Sequence, residues 1–436
     1  MIPNPVESPL SALTLALAVL VLARAAIETW LITRQVRHVG IHRQSVPKAF
    51  EGQVNLADHQ KAADYTIAKA RLDLGSVLLG ATVLLGWTLF GGLDALNTAL
   101  RQRIHDPAPG AASALAYQVA LLGAMTVIGT VIELPLDAIR HFRIEQRFGF
   151  NRMTGASYAG DALRGLALGV VVMAPLFAGI LWLMGQAGAL WWLWAFALLA
   201  TFQLVMLMVY PTWIAPLFNR FTPLKDPALE ARVRALVERC GFSAGQLLVM
   251  DGSRRSAHAN AYFTGWGRSK RIVLFDTLLS SLTPDELEAV LAHELGHFRH
   301  WHVPKRLALM MLVSLAGLAL LGWASGDAGF YLAMGVQPNL GAPNDGLALA
   351  LFLLILPHGL SLLAPIASWW SRRQEFQADS FAAQNSSGQA LARALVRLHT
   401  DNASTLNPDP WYARFHYSHP PAAERLAALH RHAQGT

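Results

Sequence analysis

The chain has 436 residues, of which 53% are hydrophobic and only 14% charged, with a mean hydropathy of +0.34. Soluble domains carry about a quarter charged residues, so the deficit points to a membrane protein. The formal charge of +7 raises the question of nucleic acid, and the placement of the basic residues answers it below. Cys240 is the one cysteine, which excludes an intramolecular disulfide framework and a cysteine-rich metal site.

Crossing a hydrocarbon core of about 30 Å takes around 20 mostly apolar residues. Seven segments qualify: 9–33, 73–98, 114–136, 164–185, 189–210, 306–324 and 346–369. The first is read as a retained span, because no small-residue cleavage site follows it. With the N-terminus outside, the inside connections are 34–71, 137–164, 211–306 and 370–436. These hold every basic residue except Arg24, Arg101 and Arg103. The excess of Lys and Arg is therefore a topological signal that puts these segments in the cytoplasm, and no nucleic-acid partner is expected. Arg24, Glu28, Glu133 and Asp137 lie within or beside spans, where ionisable groups are expected to face a hydrated interior.

Residues 226–302 read as a small α/β unit. "DPALEARVRALVERCG" has helical periodicity and a glycine stop, with Cys240 as a packing residue. "QLLVMDGS", "AYFTGWG" and "KRIVLFD" read as strands, the last two joined by a turn at "GRSK". A further helix is predicted from about residue 284, with Thr283 as N-cap, Pro284 in its first position and Glu286 completing a capping box.

That helix carries "HELGH". Four residues of helix turn about 400°, so His293 and His297 share a face and can bind one metal ion, with Glu294 offset beside them. This is the arrangement of a zinc peptidase, in which zinc polarises the scissile carbonyl and acidifies water while a carboxylate takes the proton. Gly296 leaves room for another backbone to approach. His300 and His302 do not extend the same face and are assigned to the surface or to an interface.

Catalytic zinc generally has three protein ligands, so a third donor is expected elsewhere. "WWSRRQEFQADSFAAQ" offers Glu375 and Asp379 four residues apart on one helix face, a repulsive pair unless a cation lies near. By spacing alone, a metal or the adjacent Arg372 and Arg373 would serve equally well.

These residues resemble the type I CAAX prenyl proteases, integral-membrane zinc metalloproteases. The likeness extends through "RIEQRFGFNRMT" (143–154), "YPTWIAPLFNRFTPL" (210–224), "NAYFTGWGRSKRIVLFDTLL" (260–279), "SRRQEFQADSFA" (371–382) and "LNPDPWYARFHYSHPPAAERLAAL" (406–429). It implies a mainly α fold of seven transmembrane helices enclosing a chamber, with a small zincin-like α/β domain on the cytoplasmic side. It implies one zinc ion held by His293, His297 and Glu375, with Glu294 as general base and Asp379 orienting a histidine. Arg425 would partner Asp379, His419 would stabilise the oxyanion, and Asn260 and His416 would contact substrate. "RIVLF" is expected as an edge strand that binds peptide by strand addition.

The chain is accordingly divided into a membrane region with five spans (1–210), an α/β catalytic segment (211–305), spans six and seven (306–369) and a C-terminal catalytic segment (370–436). The expected partners are the lipid bilayer and a peptide or protein substrate, such as the prenylated C-terminal peptides the family cleaves. The short connection from Asp276 to His293 and the absence of a lysine retrieval signal suit a bacterial inner membrane. There, a quality-control protease acting on non-prenylated substrates is an alternative. Two further readings are an intramembrane protease of the site-2 type, which the charges around the motif disfavour, and a non-enzymatic metal-binding membrane protein.

Overall fold

A computed structural model describes residues 11–242, 245–264 and 271–434. The membrane region begins with α1 (Ala12–Ile41) and α2 (Leu56–Trp87), each capped by a side chain, Ser11 and Asn55 respectively. The short α3 (Gly92–Leu100) leads to α4 (Ala111–Ile139), which runs on through a π-helical turn, Arg140–Glu145. Then come α5 (Gly155–Gln186) and α6 (Trp191–Val209), the latter continued through a π-turn into α7 (Ala215–Phe218).

The second half alternates a mixed α/β part with apolar helices. Strand β1 (Phe221–Pro223), α8 (Pro227–Arg239), β2 (Gln246–Met250), β3 (Ala261–Thr264) and β4 (Arg271–Phe275) precede α9 (Asp276–Ser281) and α10 (Pro284–Arg299). Back in the apolar layer are α11 (His302–Ala324), α12 (Ala328–Ala333) and α13 (Asp345–Ser361). The chain closes with α14 (Ala364–Asn385), α15 (Gly388–Asp401), α16 (Pro410–His416) and α17 (Ala422–Gln434).

Among the described residues, six helices are long and apolar enough to cross a membrane, and seven if α13 and α14, bent by 61°, count as one span. At most 22% of the apolar window of any of the six is buried in protein, so a bilayer must cover most of it. The second span differs in extent from the expected 73–98. Its helix starts seventeen residues earlier, at Leu56, because the polar stretch "ADHQKAADYTIAKARLD" contains neither Gly nor Pro and keeps the helix going. It stops at Thr88, before Gly91 turns the chain with φ +77°. A helix of 32 residues is about 48 Å long, well beyond the hydrocarbon core, so the membrane helices project into water and wall a chamber.

The four strands order as β1-β2-β4-β3, with β2 and β4 parallel and the outer pairs antiparallel. This corrects the expectation for "RIVLF": β4 is an inner strand, buried at Ile272, Val273 and Leu274, and the edge that leads away from Asn260 is β3. The composition had signalled burial, since a continuous apolar run suits a strand covered on both faces. The expected turn at "GRSK" lies outside the described residues.

Two cores result. One packs the sheet against α10, α15 and α17 through Leu236, Leu274, Leu291, Leu395 and Leu426, and the other joins the membrane helices through Leu84, Leu121, Ile180 and Leu318.

Candidate metal centre

Helix α10 starts where its sequence says. Thr283 accepts a hydrogen bond from the Glu286 amide, and the Glu286 carboxylate accepts one from the Thr283 amide. From that fixed origin His293, Glu294 and His297 fall on the side of the helix that meets α14. The approach is close: a Cβ on Gly296 would stand 2.9 Å from the Ala378 Cα. Ala378 lies between Glu375 and Asp379, so the bare glycine is what lets α14 deliver both carboxylates.

His293 Nε2 and His297 Nε2 lie 3.3 Å apart, and each is 3.4 Å from a Glu375 carboxylate oxygen. One ligand atom from each of the three residues lies within 4.8 Å of the others, a geometry that fits a single cation. Glu375 is 1% exposed, and its Oε2 makes no well-formed hydrogen bond among the described residues. A buried carboxylate oxygen left over beside two imidazole nitrogens is the donor set a divalent metal satisfies.

Arg372 and Arg373 do not neutralise Glu375. Arg372 donates to the backbone carbonyls of Ala413, Arg414 and Tyr417, and Arg373 lies 4.7 Å over the Trp369 ring. The alternative left open by spacing is thereby removed.

Each histidine is held from behind. The Asp379 carboxylate is 2.8 Å from His293 Nδ1 and is gripped by the Arg425 guanidinium at 2.5 and 2.8 Å. His297 Nδ1 is 2.9 Å from His302 Nδ1, whose Nε2 lies 2.9 Å from the Gln377 side-chain oxygen. His302 is 1% exposed, which removes the surface alternative and leaves it at the interface between α10, α11 and α14. Trp301, with φ +58°, sharply reverses the chain between α10 and α11 and turns His302 back under His297. The helical wheel carries no signal for a residue beyond such a break. His300, stacked on His302 with ring centroids 5.6 Å apart, is half-buried.

Burial opposes charge on His293, yet the Asp379 and Glu375 carboxylates beside it raise its pKa to about 9. Burial, together with the charge on His293, pushes His297 down to about 3. Burial also raises the pKa of Glu294, against the pull of His293. The pocket thus favours one positive charge at its centre, with a carboxylate of raised basicity at its side.

His419 Nε2 is 3.5 Å from Glu375, so the structure brings it to the centre. It does not bring His416 there: His416 Nε2 is 3.2 Å from the Glu28 carboxylate on α1. Asn260 stands at the start of β3 and shares a cavity of about 620 Å³ with His416, His419 and Arg425. Asp137 accepts a hydrogen bond from Tyr158 at 2.7 Å and lines a second cavity, while Glu133 is exposed.

A ring of membrane helices around a two-histidine, one-glutamate centre defines an integral-membrane metallopeptidase. The family description "CAAX prenyl protease N-terminal, five membrane helices" matches residues 35–220, and that of peptidase family M48 matches residues 223–433. CAAX prenyl protease 1 of Saccharomyces cerevisiae is 34% identical over 94% of this chain and 93% of its own length. A homologue in Arabidopsis thaliana is 32% identical over 92% of this chain and 94% of its own length. The crystal structure of S. mikatae Ste24p superposes with a TM-score of 0.86 at 30% identity, covering 97% of this chain and all of that one. This chain belongs to the CAAX prenyl protease family of membrane metallopeptidases, peptidase family M48.

Proposed function

We propose that the protein is a zinc-dependent endopeptidase that cuts peptides near a lipid-modified C-terminus, with its catalytic side in the cytoplasm. The observation that carries this reading is the convergence of His293, His297 and Glu375 with Glu294 alongside. When bound, zinc polarises the scissile carbonyl and lowers the pKa of water at the site.

The chain's own residues would then divide the work. Glu294, made more basic by burial, takes the proton of the attacking water and returns it to the leaving amine. His419, beside Glu375 yet open to the cavity, donates to the oxyanion as it develops. Asp379 fixes His293 from behind with Arg425 holding it, and His302 does the same for His297. Asn260, heading the edge strand β3, engages the peptide backbone, and His416 lines the approach.

A lipid-modified substrate is supported by an apolar cavity of about 720 Å³ between membrane helices, walled by Phe177, Leu309, Val313, Phe352 and Leu356. It ends at Arg306, Ser371 and Ser418, the last adjacent to His419. The relatives' names supply the chemical class, a prenyl group. The basic residues concentrated in 34–71, 137–164, 211–306 and 370–436 support a cytoplasmic catalytic side, and the short link from Asp276 to His293 fits a bacterial inner membrane.

Matched farnesylated and unmodified peptides, incubated with purified protein with and without a chelator, test this reading. Chelator-sensitive cleavage restored by zinc, with the farnesylated peptide preferred, is expected. Equal cleavage of both peptides would remove the lipid from the reading and favour a general membrane quality-control role.

A further inference from the structure

The polar cavity that holds Asn260 and His419 extends to the membrane helices, where Lys69 of α2 and Arg140 beyond α4 line it. Both cations lie on the stretches that carry these helices out of the apolar layer, on the same side as the metal centre. Lys69 is free of the usual explanation, an ion pair. Its ammonium lies 3.9 Å from the centroid of the Tyr65 ring, and no carboxylate is within 4.0 Å of it among the described residues.

The two acids nearest to it are committed elsewhere. Glu145 accepts from the Tyr65 hydroxyl and lies 3.3 Å from His258 Nε2. Asp73 is bound by Arg140 at 2.7 Å. The aromatic face holds the ammonium in place without using its N–H groups, which remain for an acceptor in the cavity. Asp73, bound by Arg140, is the one acid among the described residues of the lining, and Arg425 is held by Asp379, so Lys69 is the cation there without a carboxylate partner.

The wall opposite is fixed by a short polar chain. The Asn402 side-chain oxygen accepts from the Ala259 amide at 3.0 Å and lies 3.3 Å from His258 Nδ1. This sets the segment just before Asn260, where β3 begins. A peptide added antiparallel to the free side of β3 would run its carboxyl end toward Asn260 and so into this cavity. A peptide added in parallel would bring its ammonium terminus there, toward Lys69 and Arg140. Ser418 lines both this cavity and the apolar one, so the two meet beside His419.

We propose that Lys69, assisted by Arg140, is the group that receives the substrate's free C-terminal carboxylate. This rests on the peptidase reading above and adds a binding site to it.

The test compares one peptide as its free acid and as its C-terminal amide, for cleavage by full-length wild type, Lys69→Gln and Lys69→Arg. Binding of the same two peptides to Glu294→Gln protein, with and without Lys69→Gln, is measured alongside. Wild type should prefer the acid on the order of tenfold, chiefly through KM, as expected for a charge-assisted contact. Lys69→Gln should bring the ratio close to one, and Lys69→Arg should retain most of it. Both peptides are read on the same protein, so partial loss of folded enzyme scales them alike. Equal handling of acid and amide by wild type, or an acid preference that survives Lys69→Gln, would overturn the proposal. Selective binding of the acid without cleavage of either peptide would support the carboxylate site while removing the peptidase reading.

Discussion

His302 separates what a residue's position in sequence says from what its position in space does. The i, i+4 spacing of His293 and His297 is a local property of helix, so it could be read before any fold was known. Glu375 and Asp379 were legible only as a pair in need of a cation, because nothing local says which helix they will face. The contact of His302 with His297 was missed because the left-handed Trp301 lies between it and the motif. If His302 orients His297, His302→Phe should weaken zinc affinity about 10- to 100-fold. Competition with a calibrated chelator measures this, and unchanged affinity would return His302 to a packing role. A second consequence concerns pH. Without metal, His293 holds a proton up to about pH 9, and zinc must displace it. Apparent zinc affinity should therefore rise with pH across 6 to 8, by about tenfold per unit. A flat profile over that range would mean that His293 is already neutral when metal arrives.

At the scale of elements, the contact between α10 and α14 decides whether a site exists. Its closeness comes from Gly296 against Ala378, and the side chain of any other residue would have to push the helices apart. Gly296→Val should cost on the order of 1–3 kcal/mol of stability and lose metal at the same time, since Glu375 and Asp379 move with α14. Thermal unfolding in detergent and zinc content, measured on one preparation, check this. Full metal occupancy in the variant would mean that the helices have slack. The apolar spans and the capped start of α10 were plain in the sequence. The strand order was not, because "RIVLF" becomes an inner strand through the parallel pairing of β2 with β4, a crossover that composition does not record. The length of α2 was hidden for a related reason: hydropathy marks where lipid ends, not where a helix does.

For the whole molecule, the account needs the sheet, α10 and α15 to lie on one side of the bilayer and the connection before α13 on the other. Single cysteines at Ser280 and Leu340, both exposed, report on the two sides in a background lacking Cys240. An impermeant maleimide applied to intact cells should label Leu340→Cys and spare Ser280→Cys, with the reverse in inverted vesicles. Labelling both from one side would contradict the topology.

The central claim is that His293, His297 and Glu375 hold zinc while Glu294 works on water beside it. The most direct measurement is zinc content and peptide turnover on the same samples of wild type, Glu294→Gln and Glu375→Ala. The account predicts one zinc per chain in Glu294→Gln with turnover lowered by about 10²–10⁴-fold, and zinc lost from Glu375→Ala. Normal turnover in Glu294→Gln, or full zinc occupancy in Glu375→Ala, would contradict it.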